Sequence, residues 1–391
     1  MPKRLVYLDN AATTPVRPEV LEAMLPYLGP EAFGNPSSPH RFGRAARAGV
    51  DEAKRRIAEA LGVEPSQVIF TSGGTEADNL AVIGCALAAR ERGGPFRVAV
   101  SAIEHKAVLA AAHAVARLGG EEIVLPVNGV GEVAEDALAQ ALARGLAVVS
   151  VMWVNNEIGV VQPVARLAAR CREAGVPFHV DGVQAFGKIP VSLHDVACTL
   201  FTVSGHKIGA PKGIGALVVR DRHAVEAIIH GGGQQFGIRP GTENVPGIVG
   251  LAVAVELAAR EQAAFAAQVE ALRDELERRL LAVVPDAVIN AAHGRRAPHV
   301  TSVSIPGTDS EALLMHLDLA GIACSSGSAC STGAVEPSHV LTAMGVPREL
   351  GVAALRFSFG KQNTAEDVDA LIAALPKIVE KVRALAAVLH R

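Results

Sequence analysis

Short apolar runs alternate with amphipathic stretches through the first two thirds of the chain. The runs VIFT (68–71), FRVAVS (96–101), EIVLPV (122–127), LAVVSVMW (146–153), VPFHVD (176–181), ACTLFTVSG (197–205) and GIGALVVR (213–220) are rich in Val, Ile and Phe. Their apolar residues are largely consecutive, which predicts strands covered on both faces. Between them lie a stretch at roughly 75–91 and the segments EHKAVLAAAHAVARLG, VAEDALAQAL and VARLAARCREAG, with apolar residues at helical spacing. The last ends in Gly175, a helix stop. Strand and helix in turn predict an α/β domain, a mostly parallel seven-stranded sheet with helices on both faces.

The rhythm then changes. From about 247 to 281 the helical pattern is long and charged, with AREQ and EALRDELERR, and predicts a connection out of the first domain. Beyond 290, VTSVSIP and VAALRFSFG read as strands and SEALLMHLDLAG as a helix. TAEDVDALIAALPKIVEKVRALAAVLH reads as a capped helix with one apolar stripe. This predicts a smaller α+β domain. Gly- and Pro-rich punctuation at 29–39, 231–241 and 325–337 predicts loops.

A length of 391 residues suits two or three domains, and half the residues are hydrophobic. Aromatic residues make up only 4 %, which leaves few platforms for stacked bases, and the net charge of -3 steers toward neither nucleic acid nor an anionic membrane. The five cysteines (Cys85, Cys171, Cys198, Cys324 and Cys330) are odd in number and show no short-spaced pairing. That argues against a disulfide scaffold and for a reducing, cytoplasmic setting. The N-terminus lacks an apolar secretory segment before Asp9, and VPGIVGLAVAVELAAREQ, interrupted by Glu256 and Arg260, reads as a buried helix rather than a membrane span.

Three features carry candidate chemistry. Lys207 in SGHKIGAPKGIG has Ser204 and His206 before it and glycines on both sides. Such a lysine can be an attachment point for pyridoxal phosphate, although a loop lysine read alone is a solvated charge. Asp181 closes the run VPFHVD, and a carboxylate at the carboxyl end of a parallel strand faces the ligand crevice. It can pair with a pyridine nitrogen, with Gln184 as a nearby donor, or simply cap the turn at Gly182. In TSGGTEADN, Gly73, Gly74 and Thr75 form either a phosphate cradle at a helix start or a plain helix cap.

Taken together, SGHKIGAPKGIG, YLDNAATTP, FGNPSSPHRFGR, FTSGGTEADNLAV, VNNEIGVVQP, HVDGVQAFGK, GGGQQFGIRPGTENV, SSGSACSTGAVEPSHVL and ALRFSFG resemble, in order and spacing, the cysteine desulfurases. These are a NifS/IscS-like branch of the class V aminotransferase-like enzymes of pyridoxal-phosphate fold type I. The resemblance covers almost the whole chain. It implies a large cofactor-binding domain at 15–262 and a small domain from 1–14 and 263–391 that carries the cysteine loop 325–337. It implies that Lys207 holds pyridoxal 5'-phosphate and moves the Cα proton, that Asp181 pairs with the pyridine nitrogen, and that His105 stacks on the ring. Asn156 and Gln184 would touch the ring-oxygen side, and Gly74, Thr75, Ser204 and His206 the phosphate. Thr242 would reach the phosphate of a partner subunit, which implies a homodimer. Arg356, with Asn35, would clamp the substrate carboxylate, a task suited to a guanidinium fork.

Cys330 occupies the position of the family's persulfide-forming cysteine, and its Ser- and Gly-rich surroundings have no apolar period. Cys85, Cys171 and Cys198 fall in apolar patterns and read as core residues, with Cys324 structural as well. The implied reaction converts L-cysteine to L-alanine and leaves the sulfur on Cys330, with no metal involved. It would serve iron–sulfur cluster or other sulfur-cofactor biosynthesis through a sulfur-acceptor or scaffold protein. A selenocysteine lyase, another aminotransferase-like enzyme, and a non-catalytic protein on the same fold are the alternatives. Two departures stand out. Gln235-Phe236 replaces the family's Glu-Arg, which bears on packing at the entrance or dimer edge, and the C-terminus is short for members that bind a scaffold there.

Overall fold

The computed structural model describes residues 4–327, 329–331 and 334–389, and for 329–331, 334–335 and 387–389 it describes the backbone. Each of the seven apolar runs forms a strand, and the seven make one sheet. Its spatial order is Val68–Thr71, Gly215–Val219, Leu200–Ser204, Phe178–Asp181, Val148–Met152, Arg97–Ser101, Glu121–Leu125. All neighbours are parallel except around Gly215–Val219, which is antiparallel to both its neighbours. Val68–Thr71 is reversed twice relative to the parallel set, so its end at Thr71 returns to the edge where the parallel strands finish. That places the glycine loop after Thr71 beside Asp181 and Ser204, at the carboxyl edge where such sheets bind ligands.

Alternation along the strands separates two cores. Val68, Phe70, Val149, Val151, Phe178, Val180, Phe201 and Val203 pack on one face, with residues of the helices Arg41–Leu61 and Val164–Glu173. Ile69, Val98, Val100, Val148, Leu200 and Leu217 pack on the other, under Gly74–Glu91 and Lys106–Arg117. Both faces of the central strands are buried, and so these strands read as continuous apolar runs.

A further core joins Val6 and Leu8 to Val303, Leu313, Leu317, Leu355, Phe357, Leu371 and Leu375. Here the antiparallel strands Ala354–Ser358, Val300–Ser304 and Val288–Ile289 pack with the helices Ser310–Leu319 and Ala365–Leu389. The helix Val245–Val283 links the cores. Val245, Ile248, Leu251 and Val255 are buried in the large one, and Val269, Leu276 and Leu280 in this one. At 39 residues it extends about 60 Å.

Two of the expected loops contain more order than their composition suggests. Within 325–337, Ala329–Ser331 pairs antiparallel with Ala334–Glu336, with Cys330 opposite Val335. Such short runs of small residues have no periodicity to announce them. Within 231–241, Gln235 and Phe236 take φ of 48° and 62°, in the left-handed region. The buried Gln235 side chain accepts from the Phe70 N–H at 3.3 Å and donates to Glu243. It thereby satisfies an N–H on the sheet's edge strand, while Phe236 lies between Lys54 and Arg222.

Candidate active site

At the carboxyl edge of the sheet lies a cavity of about 570 Å3. Its lining includes Gly74, Thr75, His105, Asn156, Asp181, Gln184, Ser204, His206, Lys207 and Arg356. Most come from a strand end, the turn that follows it or the start of the next helix, and Arg356 from the middle of the strand Ala354–Ser358.

One end suits an anion. The helix Gly74–Glu91 begins here, and its first N–H groups have no carbonyl one turn before them. Gly73 has φ of 153°, open to glycine, and a Cβ on Gly74 would stand 3.2 Å from Val183 Cγ2 and 3.4 Å from Ser204 Cβ. Thr71 Oγ1 donates to Gly73 O at 3.0 Å, and the Ser72 N–H to Glu76 Oε2 at 2.9 Å. Glu76 is held in turn by Arg239 at 2.7 and 3.1 Å, which ties the 231–241 segment to the glycine loop. His206 Nδ1 shares a 3.2 Å hydrogen bond with Thr13 Oγ1, and burial pulls its pKa down to about 4.

Lys207 reaches in from the turn after Leu200–Ser204. Its Nζ donates to Ala11 O at 2.6 Å and Ala12 O at 2.7 Å. Burial, with the nearby Arg356 charge, lowers it to about 8, against the opposing pull of Asp181 and Asp9. Asp181 accepts from the Val183 N–H at 2.9 Å, and burial raises it to about 6. Gln184 donates to Ala11 O at 2.9 Å and meets His299 Nε2 at 3.2 Å. His105 Nδ1 accepts from the Ala107 N–H at 3.1 Å, which orients the ring. Burial and then Lys207 hold it below its ordinary value.

Arg356 comes from the small core. Its Nη1 donates to Asn156 O at 3.0 Å and its Nη2 to Asp9 Oδ1 at 2.7 Å. Its Nε is buried without a hydrogen-bond partner among the described residues. Beneath the cavity, His179 bridges Ser150 Oγ at 2.8 Å and Thr202 Oγ1 at 2.9 Å, and Asp78 Oδ1 lies 3.7 Å from its Nε2. Burial raises both Asp78 and Glu104, the latter to about 8.

Asn35 and Thr242 do not line this cavity in the single chain. Both are exposed, and Asn35 Oδ1 accepts from the Ser37 N–H at 2.9 Å. They lie beside a second cavity lined by Pro36, Ser37, Arg47, Gln234 and Glu243. The Cys330 backbone lies in the hairpin described above, and its side chain lies outside the described residues. Cys85, Cys171 and Cys198 are buried, and Cys324 is half-buried, with its thiol pushed up to about 12 by desolvation. Sequence reasoning missed the carbonyls of Ala11 and Ala12, the buried His299 that steadies Gln184, and Asp78. The first two are long-range contacts with no local signature. Asp78 sat in a motif read only for its glycines and threonine.

The aminotransferase class-V family profile matches residues 6–371. The chain is 43% identical over 383 residues to "Cysteine desulfurase IscS" of Dictyoglomus turgidum, which covers 98% of this chain and 96% of that protein. Among solved structures, a "NIFS-LIKE PROTEIN" superimposes with a TM-score of 0.87 at 35% identity, over 98% of this chain and 100% of that one. "SspA in complex with cysteine" superimposes with a TM-score of 0.80 at 33% identity, over 90% of this chain and 98% of that one. The fold, the strand-end cavity and similarity along nearly the whole length agree: the chain belongs to the aminotransferase class-V family and, within it, to the cysteine desulfurases.

Proposed function

We propose that the cavity holds pyridoxal 5'-phosphate and converts L-cysteine to L-alanine, leaving the substrate sulfur on Cys330 as a persulfide. The observation that carries this reading is the convergence of Lys207, Asp181 and Arg356 on one cavity, with Arg356 Nε unpartnered among the described residues. A buried guanidinium N–H without an acceptor fits a ligand carboxylate. The glycine loop fits the cofactor's phosphate, held by Gly74, Thr75, Ser204 and His206, and Asp181 fits a protonated ring nitrogen. When bound, pyridoxal phosphate supplies an electron-withdrawing ring that stabilises the electron pair left at the substrate Cα.

The chain's own groups do the rest. Lys207, lowered to about 8 by burial, gives up its proton more readily than an ordinary lysine and as the free amine can take the Cα proton. Arg356 and Asn156 orient the substrate. His105, kept neutral by burial, can pass a proton beside the ring without adding charge. Cys330, as thiolate, attacks the substrate sulfur: an S–S bond forms, the Cβ–S bond breaks, and alanine leaves. The SspA structure solved with cysteine supports that substrate class.

We propose a homodimer as well. Leu21, Leu25 and Leu28 on the helix Pro18–Leu28, with Phe33 and Phe42 after it, are exposed. Thr242 and Asn35 are also exposed and away from their own chain's cavity, which fits residues offered to a partner's site. Cytoplasmic sulfur delivery to an acceptor or iron–sulfur scaffold protein completes the proposal. Incubation of the purified protein with L-cysteine tests it: equal yields of alanine and protein-bound sulfane sulfur are expected. Alanine from selenocysteine alone would point to a selenocysteine lyase, and turnover that requires a keto acid to an aminotransferase.

A further inference from the structure

Glu157 stands outside the cavity lining and has no part in the chemistry above, yet its carboxylate is not in open water. Its backbone is fixed by Asn155, which is fully buried and donates to Ile103 O at 2.8 Å. Asn155 Oδ1 accepts from the N–H groups of Glu157 at 2.9 Å and Ile158 at 3.0 Å. The turn closes with Gly159 at φ of 74°. The carboxylate is thus mounted on a rigid post beside Asn156, whose carbonyl takes the Arg356 guanidinium at 3.0 Å.

The chain on both sides of the paired strands meets that carboxylate, Gly327 by close approach and Ser338 by a hydrogen bond. On the incoming stem, Ser325 exchanges backbone hydrogen bonds with Arg356 at 3.2 and 2.7 Å. Two residues later a Cβ on Gly327 would overlap Glu157 Oε2 and would lie 3.0 Å from Ser338 Cβ. A side chain there would push the carboxylate aside. On the outgoing stem, Ser338 Oγ donates to the same Oε2 and accepts from the Val340 N–H at 3.0 Å. His339 Nε2 meets Glu104 O at 3.0 Å. Burial pushes Glu157 above the ordinary carboxylate value, while the Ser338 hydroxyl, His339, Arg356 and Lys106 act in the opposite direction.

We propose that Glu157 is a positioning residue for sulfur transfer, its carboxylate clasping both stems of the segment that carries Cys330. The proposal rests on Cys330 being the sulfur-accepting residue. A thiol must approach its target in line, and a displacement of about 1 Å can cost about 100-fold in rate. A hairpin held at two points closing on one carboxylate has its reach set by that carboxylate. The clasp acts through Cys330 and touches neither substrate nor cofactor.

The test uses the cofactor-loaded protein and two readouts, the pH profile of Cys330 alkylation by iodoacetamide, followed by mass spectrometry, and kcat against KM for cysteine. Glu157→Ala is expected to raise the plateau alkylation rate about 10-fold and to lower kcat about 10-fold, with KM and the visible cofactor band little changed. Glu157→Gln keeps an oxygen for the Ser338 hydroxyl and is expected within about 3-fold of wild type. Ser338→Ala cuts the clasp from the other side and is expected to raise the alkylation plateau in the same way. It serves equally if Glu157→Ala loses the fold. Plateau rates within twofold of wild type in both alanine variants overturn the proposal. The sulfur-accepting reading fails separately, by full alanine production in Cys330→Ala, because alkylation of Cys330 does not depend on turnover.

Discussion

The two sides of the proposed reaction are built in different ways. The proposed cofactor side, at 72–75, 181–184 and 204–207, stands on strand ends of the central sheet, so its side chains take their positions from strand register. The proposed sulfur-accepting side is a pair of short strands tied to the body through Ser325, Gly327, Ser338 and His339. A group that must hold one geometry through the whole cycle is mounted on a rigid frame. A group that must meet the substrate and then an acceptor is carried on a segment controlled at its stems.

Substitutions can break this contrast, and the largest effect belongs to the rigid side. Lys207→Ala should abolish the visible cofactor band and lower alanine formation by about 1000-fold or more, read by absorbance and product analysis. On the hairpin side, Cys330→Ala should keep the band and lose about 100-fold in alanine formation, with no added sulfur on the peptide. If both variants lose the band, the two sides are not separable.

A smaller effect sharpens the rigid side through pH. Lys207 is lowered to about 8 by burial, so the free amine appears about two units below an ordinary lysine. Only the neutral amine attacks an aldehyde. Capture of pyridoxal phosphate by the apoprotein should therefore rise with pH and level off just above 8, followed as growth of the visible band. A rise continuing past 10 would contradict the buried setting. The smallest effect separates the two cysteines nearest the hairpin. Cys324→Ala should leave activity within twofold and cost about 1 kcal/mol in stability, because this thiol packs against the small core.

Much of the rigid side was legible in the sequence because its signals are local. The apolar runs VPFHVD and ACTLFTVSG, and a Gly-Gly turn before a helical pattern, announce strand ends and a helix start without reference to distant residues. The Ala11 and Ala12 carbonyls on Lys207, His299 against Gln184, and Glu157 between two stems were not legible. They join residues more than a hundred positions apart, or act through backbone atoms that any residue supplies. Asn35 and Thr242 illustrate another limit. Their motifs were recognisable, but one chain does not bring them to its cavity. The Gln235-Phe236 departure gained its explanation only from the sheet edge, where Gln235 meets the Phe70 N–H.

The helix Val245–Val283 has a consequence for how the molecule melts. Its first turns are buried in one core and its last in another, while 260–264 between them are exposed or half-buried. A helix propagates cooperatively, so losing either core frays the segment that supports the other. Calorimetry should show a single transition for both cores. Ala264→Pro, which breaks the ladder at the unburied middle, should split it into two, with the smaller core melting first.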